Sequence, residues 1–251
     1  MALCSKTKHF LFCAIVFAAS IILPACEGLT AAPHEDFVGK RYYNVCLVLD
    51  GTDRLSGQNG VPCVAAEEMV DLARTLADNG MGSLYLCYVD NNSDNNRVAM
   101  FEWSEQAPKP VGDKPGYMKM ADYDKQVAAS QKAQDEYQKH LKKELQEFFK
   151  DCSGIVDLAY SDAVARQKKG SDVNGAINKA ARLLKASSPV ATHSYIILVS
   201  DGCDNVGKEL SPLPREIELF LINSSVSKHQ YEELVSREFV TLKQAAKHLF
   251  N

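Results

Sequence analysis

Val45-Cys46-Leu47-Val48-Leu49-Asp50-Gly51-Thr52-Asp53-Arg54-Leu55-Ser56 joins an unbroken apolar run to an acidic residue and a polar, glycine-containing loop. Five successive apolar residues, Val45 to Leu49, have no period-2 alternation, so both faces of this strand must be covered, as in a parallel sheet. The loop runs from Gly51 to Gly60, and a helix is predicted from Pro62 to about Asn79. Its apolar positions Ala66, Met69, Val70, Ala73 and Leu76 recur at helical spacing, and proline in a first helical turn gives up no hydrogen bond. Strand, loop and helix in this order open a β-α-β unit.

Outward from there the pattern repeats. Ser83 to Val89 is a second buried strand, and Arg97 to Trp103 a shorter, weakly alternating third. The polar turn between them, residues 91–96, is short enough for a hairpin, which puts one antiparallel strand at the sheet edge. Residues 106–117 hold Pro108, Pro110, Pro115, Gly112 and Gly116 and form a loop. Tyr123 to Phe149 is a long charged helix with one apolar stripe, Ala133, Tyr137, Leu141, Leu145 and Phe148, so a helical insertion is expected at about 120–150. Trp103 is expected in the core, with the proline-rich loop beside it as the alternative recognition edge. Ser153 to Lys169 reads as irregular or short-helical. Val173 to Ala186 is an amphipathic helix, Tyr195 to Val199 and Ile217 to Ile222 are buried strands, and Gln230–Val235 and Leu242–Leu249 are read as closing helical segments. The expected class is α/β: a Rossmann-like, doubly wound, mostly parallel sheet with one antiparallel edge strand and helices on both faces.

The formal net charge of -4 gives no reason to expect nucleic acid, which asks for a basic face. The amino-terminal segment stands apart from the rest. Lys6 and Lys8 precede an uncharged apolar run from Phe10 to Leu23, 14 residues long, short of the roughly 20 that span a bilayer and suited to a secretory signal. Leu23-Pro24-Ala25-Cys26 resembles a bacterial lipobox. That resemblance implies a signal at 1–25, lipidation of Cys26 as first mature residue, a tether over 26–41, and a domain over 42–251 in the cell envelope. The alternative is a plain signal cut a few residues later, giving a secreted protein. The sequons Asn91-Asn92-Ser93 and Asn223-Ser224-Ser225 matter only in a eukaryotic secretory pathway. With Cys4 and Cys13 in the signal and Cys26 lipidated, five cysteines remain, an odd number.

Three segments carry a family resemblance: Val48 to Ser56, then Gly170-Ser171-Asp172-Val173-Asn174-Gly175-Ala176-Ile177, then Ile197-Leu198-Val199-Ser200-Asp201-Gly202. In this order they resemble the three motifs of the von Willebrand factor A family, over about Tyr42 to Asn251. The family carries Asp-x-Ser-x-Ser, a threonine at a helix start, and an apolar strand ending in Thr-Asp-Gly. Position by position, Asp50 matches the first acid, Thr52 the first hydroxyl, Ser171 the threonine and Asp201 the final acid. The resemblance implies a metal-ion-dependent adhesion site holding Mg²⁺ or Mn²⁺, with a partner protein completing the metal by an acidic side chain. Oxygen ligands of this kind suit a hard cation. Arg54 stands where the family has its second serine, and a guanidinium cannot ligate a metal. Either the loop slips so that Ser56 or Asp53 supplies that ligand, or Arg54 occupies the site and the domain is a metal-free interaction scaffold. The family sheet also makes the strands before Cys63 and Cys203 neighbours, which allows a disulfide between them.

Enzymatic readings fail at their essential atoms. Leu49-Asp50-Gly51-Thr52 is similar to the Asp-x-Asp-Gly-Thr of haloacid dehalogenase-type phosphatases, but the nucleophilic aspartate would fall at Val48. No Gly-x-Ser-x-Gly elbow is present. The loop after the first strand lacks the Gly-x-Gly-x-x-Gly spacing of a dinucleotide site. The expectation is a binding protein and not an enzyme, with a protein partner, a membrane contact through Cys26, and no nucleic acid.

Overall fold

A computed structural model describes residues 41–51, 62–160, 170–187, 193–222 and 230–250. Strands β1 (Tyr42–Leu49), β2 (Met81–Tyr88), β3 (Ala99–Trp103), β4 (His193–Val199), β5 (Ile217–Ile222) and β6 (Val235–Phe239) form one sheet. Its order is β3-β2-β1-β4-β5-β6. Only β3 is antiparallel to its neighbour. The chain is therefore α/β, with the mostly parallel sheet and single antiparallel edge that the apolar runs and the 91–96 turn predicted.

Four helices among the described residues complete the fold: α1 (Ala66–Asn79), α2 (Met120–Tyr160), α3 (Val173–Ser187) and α4 (Leu242–Leu249). They lie on both faces. Val45, Leu47 and Leu49 of β1 join Leu84, Leu86, Ile197 and Val199 beneath α1, α2 and α4. Cys46 and Val48 point the other way, to Val173, Ala176, Ile177 and Ala180 of α3. Both side-chain sets of β1 are thus buried, which is why its sequence has no polar alternation. Complete burial of such a residue contributes about 1.5–3 kcal/mol.

Several boundaries differ from expectation. Helix α1 begins at Ala66, and Pro62 lies in the extended segment before it. The start is set by Glu68, whose carboxylate accepts the Ala65 N–H at 2.9 Å, one half of a capping box. Helix α2 continues without a break through Ser153 to Tyr160, because Cys152, Ile155 and Ala159 extend its apolar stripe into the core. Gln230–Val235 is not helical. Residues 230–234 turn, and Val235 opens the edge strand β6, in which Val235 and Phe239 are half-buried and the three residues between them exposed. Trp103 is a core residue, stacked on Phe101 and edge-on to Tyr137. No helix among the described residues is long and apolar enough to cross a membrane.

Candidate functional site

The strand order reverses direction at β1. From β1 the chain goes outward through β2 to β3, then returns to β4 on the other side of β1. The carboxyl ends of β1 and β4 flank this reversal, the usual ligand position in open α/β sheets. Asp50 follows β1 and Ser200-Asp201 follow β4. The Asp50 N–H donates to the Val199 carbonyl at 2.9 Å, so the two strand ends are in register there.

Asp50 is 3% exposed. Its Oδ2 accepts the Ser200 hydroxyl at 2.8 Å, and Ser200 Oγ accepts the Gly202 N–H at 3.0 Å. Asp201 is less buried, and its Oδ1 accepts the Cys203 N–H at 2.9 Å. Asp50 is therefore held across the sheet by Ser200, and Asp201 by a local bond formed as the chain leaves β4. Gly51 is required by packing: a Cβ there would lie 1.9 Å from the Ala159 carbonyl oxygen. The carboxyl end of α2, with the partial negative charge of its helix dipole, thus abuts the first motif. Tyr160 reinforces the contact by accepting the Val64 N–H at 3.3 Å.

The second motif is held by a residue that motif matching passed over. Asp172, fully buried, is the residue that caps α3: its Oδ1 accepts the Gly175 N–H at 2.9 Å. Its Oδ2 accepts the Ser93 N–H at 3.0 Å and the Lys208 ammonium at 2.6 Å. The Asp172 N–H donates to the Asp90 carbonyl at 2.9 Å, and the Ser93 hydroxyl donates to the Asp172 carbonyl at 2.7 Å. Gly175 must lack a side chain, since a Cβ would come within 2.2 Å of Asp172 Oδ2. A signal for this was present: an Asp directly before the first helical residue is a preferred cap. Ser171, 4% exposed, is thereby released from capping. Its N–H donates to Asn205 Oδ1, and its carbonyl accepts the Asn205 N–H. Because Asn205 belongs to the loop after Asp201, Ser171 is tied to that loop.

Further side chains complete the rim. Tyr231 donates its hydroxyl to Asn174 Oδ1 at 2.7 Å. Burial, followed by the negative charges of Asp204 and Asp50, pushes its phenol above the ordinary tyrosine range. Asp204 accepts the Asn174 N–H at 3.1 Å. Lys208 is raised above the usual lysine range, first by its hydrogen bond to Asp172. None of Asp204, Asn205, Lys208 and Tyr231 was legible as a site residue, because only the folded loops bring them to α3.

Among the sequence-predicted residues, then, Asp50 and Asp201 follow the neighbouring strands β1 and β4, and Ser171 is tied through Asn205 to the loop after Asp201. Thr52, Asp53, Arg54, Ser56 and Cys26 lie outside the described residues. Cys63 and Cys203 are both exposed, and no disulfide joins them. No cluster of three or more His, Cys, Asp or Glu side chains that could hold a metal occurs among the described residues. The motif set is of another kind, two carboxylates plus hydroxyls, and its all-oxygen chemistry fits a hard divalent cation. Comparison with protein-family profiles and with curated proteins finds no match.

Proposed function

We propose that this chain is an exported, lipid-anchored binding protein of the von Willebrand factor A type, which engages a protein partner at the carboxyl end of its sheet. One observation carries the reading: the acids of the first and third motifs follow β1 and β4, the two strands that flank the reversal of strand order, and the Ser200–Asp50 hydrogen bond joins the ends of these strands. Asp50, Ser171 and Asp201, with Thr52 from the intervening loop, would hold Mg²⁺ or Mn²⁺. The cation supplies an electrophilic position for a carboxylate of the partner. The protein's own contribution is pre-organisation, through the bonds that hold the Asp50 and Asp201 carboxylates before a ligand arrives.

The metal-free scaffold is the second reading, and Lys208 is the observation in its favour. Its ammonium already neutralises Asp172, the residue next to Ser171. Arg54 would extend that positive charge from the first motif.

Electron paramagnetic resonance of added Mn²⁺ separates the two. The metal-dependent reading expects the free-ion signal to fall on adding wild-type protein and to persist with Asp201→Ala. Undiminished signal with wild type, and loss of signal with Arg54→Ser, would establish the scaffold reading instead.

A further inference from the structure

His140, half-exposed on α2, has a carboxylate at each ring nitrogen. Its Nδ1 lies 2.8 Å from Glu105 Oε1 and its Nε2 3.4 Å from Glu144 Oε1. Glu144 is one turn farther along the same helix, whereas Glu105 belongs to the segment that leaves β3 after Trp103. An ionised carboxylate only accepts hydrogen bonds, and a neutral imidazole has one N–H to give. Both contacts are attractive at once only when the ring is an imidazolium with two N–H donors. In the neutral ring, one nitrogen turns a lone pair toward a carboxylate. Because the two carboxylates sit at opposite nitrogens, they do not share a metal position with the ring.

The surroundings are mainly acidic. Glu136, one turn before His140, lines the same hollow, and Asp78 near the end of α1 acts with Glu105 on the neighbouring Tyr137. Two lysines of α2 answer them. Lys132 lies 3.8 Å from Glu136, and Lys143 lies 4.0 Å from Glu144 and 3.6 Å from Glu147. Glu144 therefore keeps a cation when the ring is neutral. Among the described residues, Glu105 has no ion-pair partner except His140.

What this contact holds is the start of the proline-rich segment. The imidazole lies over Trp103, with ring centroids 5.4 Å apart, and Trp103 is 2% exposed. Glu105, Gln106 and Pro108 face Glu136, Tyr137 and His140 across a hollow of about 510 Å³. Farther along, the segment is fastened to α2 by neutral bonds, from Ser130 to the Lys109 carbonyl and from Tyr123 to the Gly112 carbonyl. Among the described residues, His140–Glu105 is the one ion pair between the segment and α2. A hydrogen bond with an ionised donor and acceptor is roughly twice as strong as a neutral one. Loss of the ring proton therefore weakens the tie to Glu105 even where Nδ1 keeps its hydrogen, and abolishes it where Nε2 does.

We infer that His140 is a proton-operated clasp: as imidazolium it ties the Glu105 segment to α2 over Trp103, and on losing its proton it loosens that segment. Histidine is the side chain whose charge ordinarily changes between about pH 5 and 8. The tie is present on the acid side of that change and lost as pH rises through it. Because the pair is half-exposed, it shifts the closed population by a factor of up to about five.

Trp103 is the chain's single tryptophan, so its emission reports on the clasp. The test measures acrylamide quenching of the full chain at about pH 5.5 and about pH 8, with lifetimes giving the quenching rate constant free of any direct effect of the imidazole. Acrylamide is uncharged, so its approach does not depend on the charge of the ring. In wild type the constant should rise from the lower to the higher pH, by up to about fivefold. In His140→Gln and in Glu105→Gln, with folding checked by circular dichroism, that rise should be lost. A wild-type constant equal at the two pH values overturns the clasp. So does a rise that persists in either variant, which would assign it to other groups.

Discussion

Ser200 donates its hydroxyl to Asp50 Oδ2 across 2.8 Å, linking the ends of β1 and β4, with both side chains buried. Hydrogen bonds to charged groups contribute about 1.5–3 kcal/mol. Ser200→Ala should cost stability of that order in urea denaturation and should also weaken any ligand of Asp50. A variant as stable as wild type would show that this bond does not hold the strand ends together.

Asp172 and Gly175 form one unit, because the carboxylate fills the space a Cβ would need. Asp172→Ala removes the cap of α3 and one of the two carboxylates facing Lys208, which keeps Asp94 and Asn92, with an expected loss of about 1–2 kcal/mol. Gly175→Ala forces the carboxylate aside and should lower the melting temperature by a comparable amount. In the double variant the losses should fall short of their sum, since both disrupt one contact.

Thiol accessibility divides the described cysteines. Cys46 and Cys87 are buried with their sulfurs 3.9 Å apart, and their mutual hydrogen bond, followed by burial, pushes the Cys46 thiol up. Burial takes Cys152 to about 12. A maleimide should label Cys63 and Cys203 in the native protein and reach the other three only in denaturant. Protection of Cys63 and Cys203 that is lifted by a reductant would instead establish a disulfide between them.

Acid should weaken the link between α3 and the turn after β2. The Arg182 guanidinium, with Lys208 adding, holds the Asp94 carboxyl below the usual range. A carboxyl depressed on folding stabilises above its unfolded value, about 3.9, and loses that contribution as pH falls through the folded value. The pair is largely exposed, so the effect is small. Asp94→Asn should flatten the decline in melting temperature below about pH 4; an unchanged decline would assign it to other carboxylates.

How far the sequence revealed this arrangement depended on whether a residue's environment is made locally. The buried strands were legible because Val45–Leu49 and Ile217–Ile222 must be apolar on both faces, or nearly so. The start of α3 at Val173 was legible for the same local reason. The end of α2 was not, since Ser153 and Gly154 suggest a break that only the burial of Ile155 and Ala159 overrides. Strand β6 was missed because it is an edge strand with three exposed polar residues between two half-buried ones, too weak a pattern to outweigh a helical reading. At the site, Asp50 and Asp201 announced themselves at strand ends. Asp172 was masked by the motif that centres on Ser171, and Lys208 reaches it from 36 residues away.

The central claim is that Asp50, Ser171 and Asp201 hold a divalent cation. Thermal unfolding of the chain across a Mg²⁺ titration, with Asp201→Ala and a chelator as controls, tests it most directly. Ligand at 100 times its dissociation constant stabilises by about 2.7 kcal/mol, which for a domain of this size raises the melting temperature by about 5–10 °C. The account predicts such a rise in wild type, its reversal by chelator and its absence in Asp201→Ala. A wild-type melting temperature indifferent to Mg²⁺ and Mn²⁺ would contradict it.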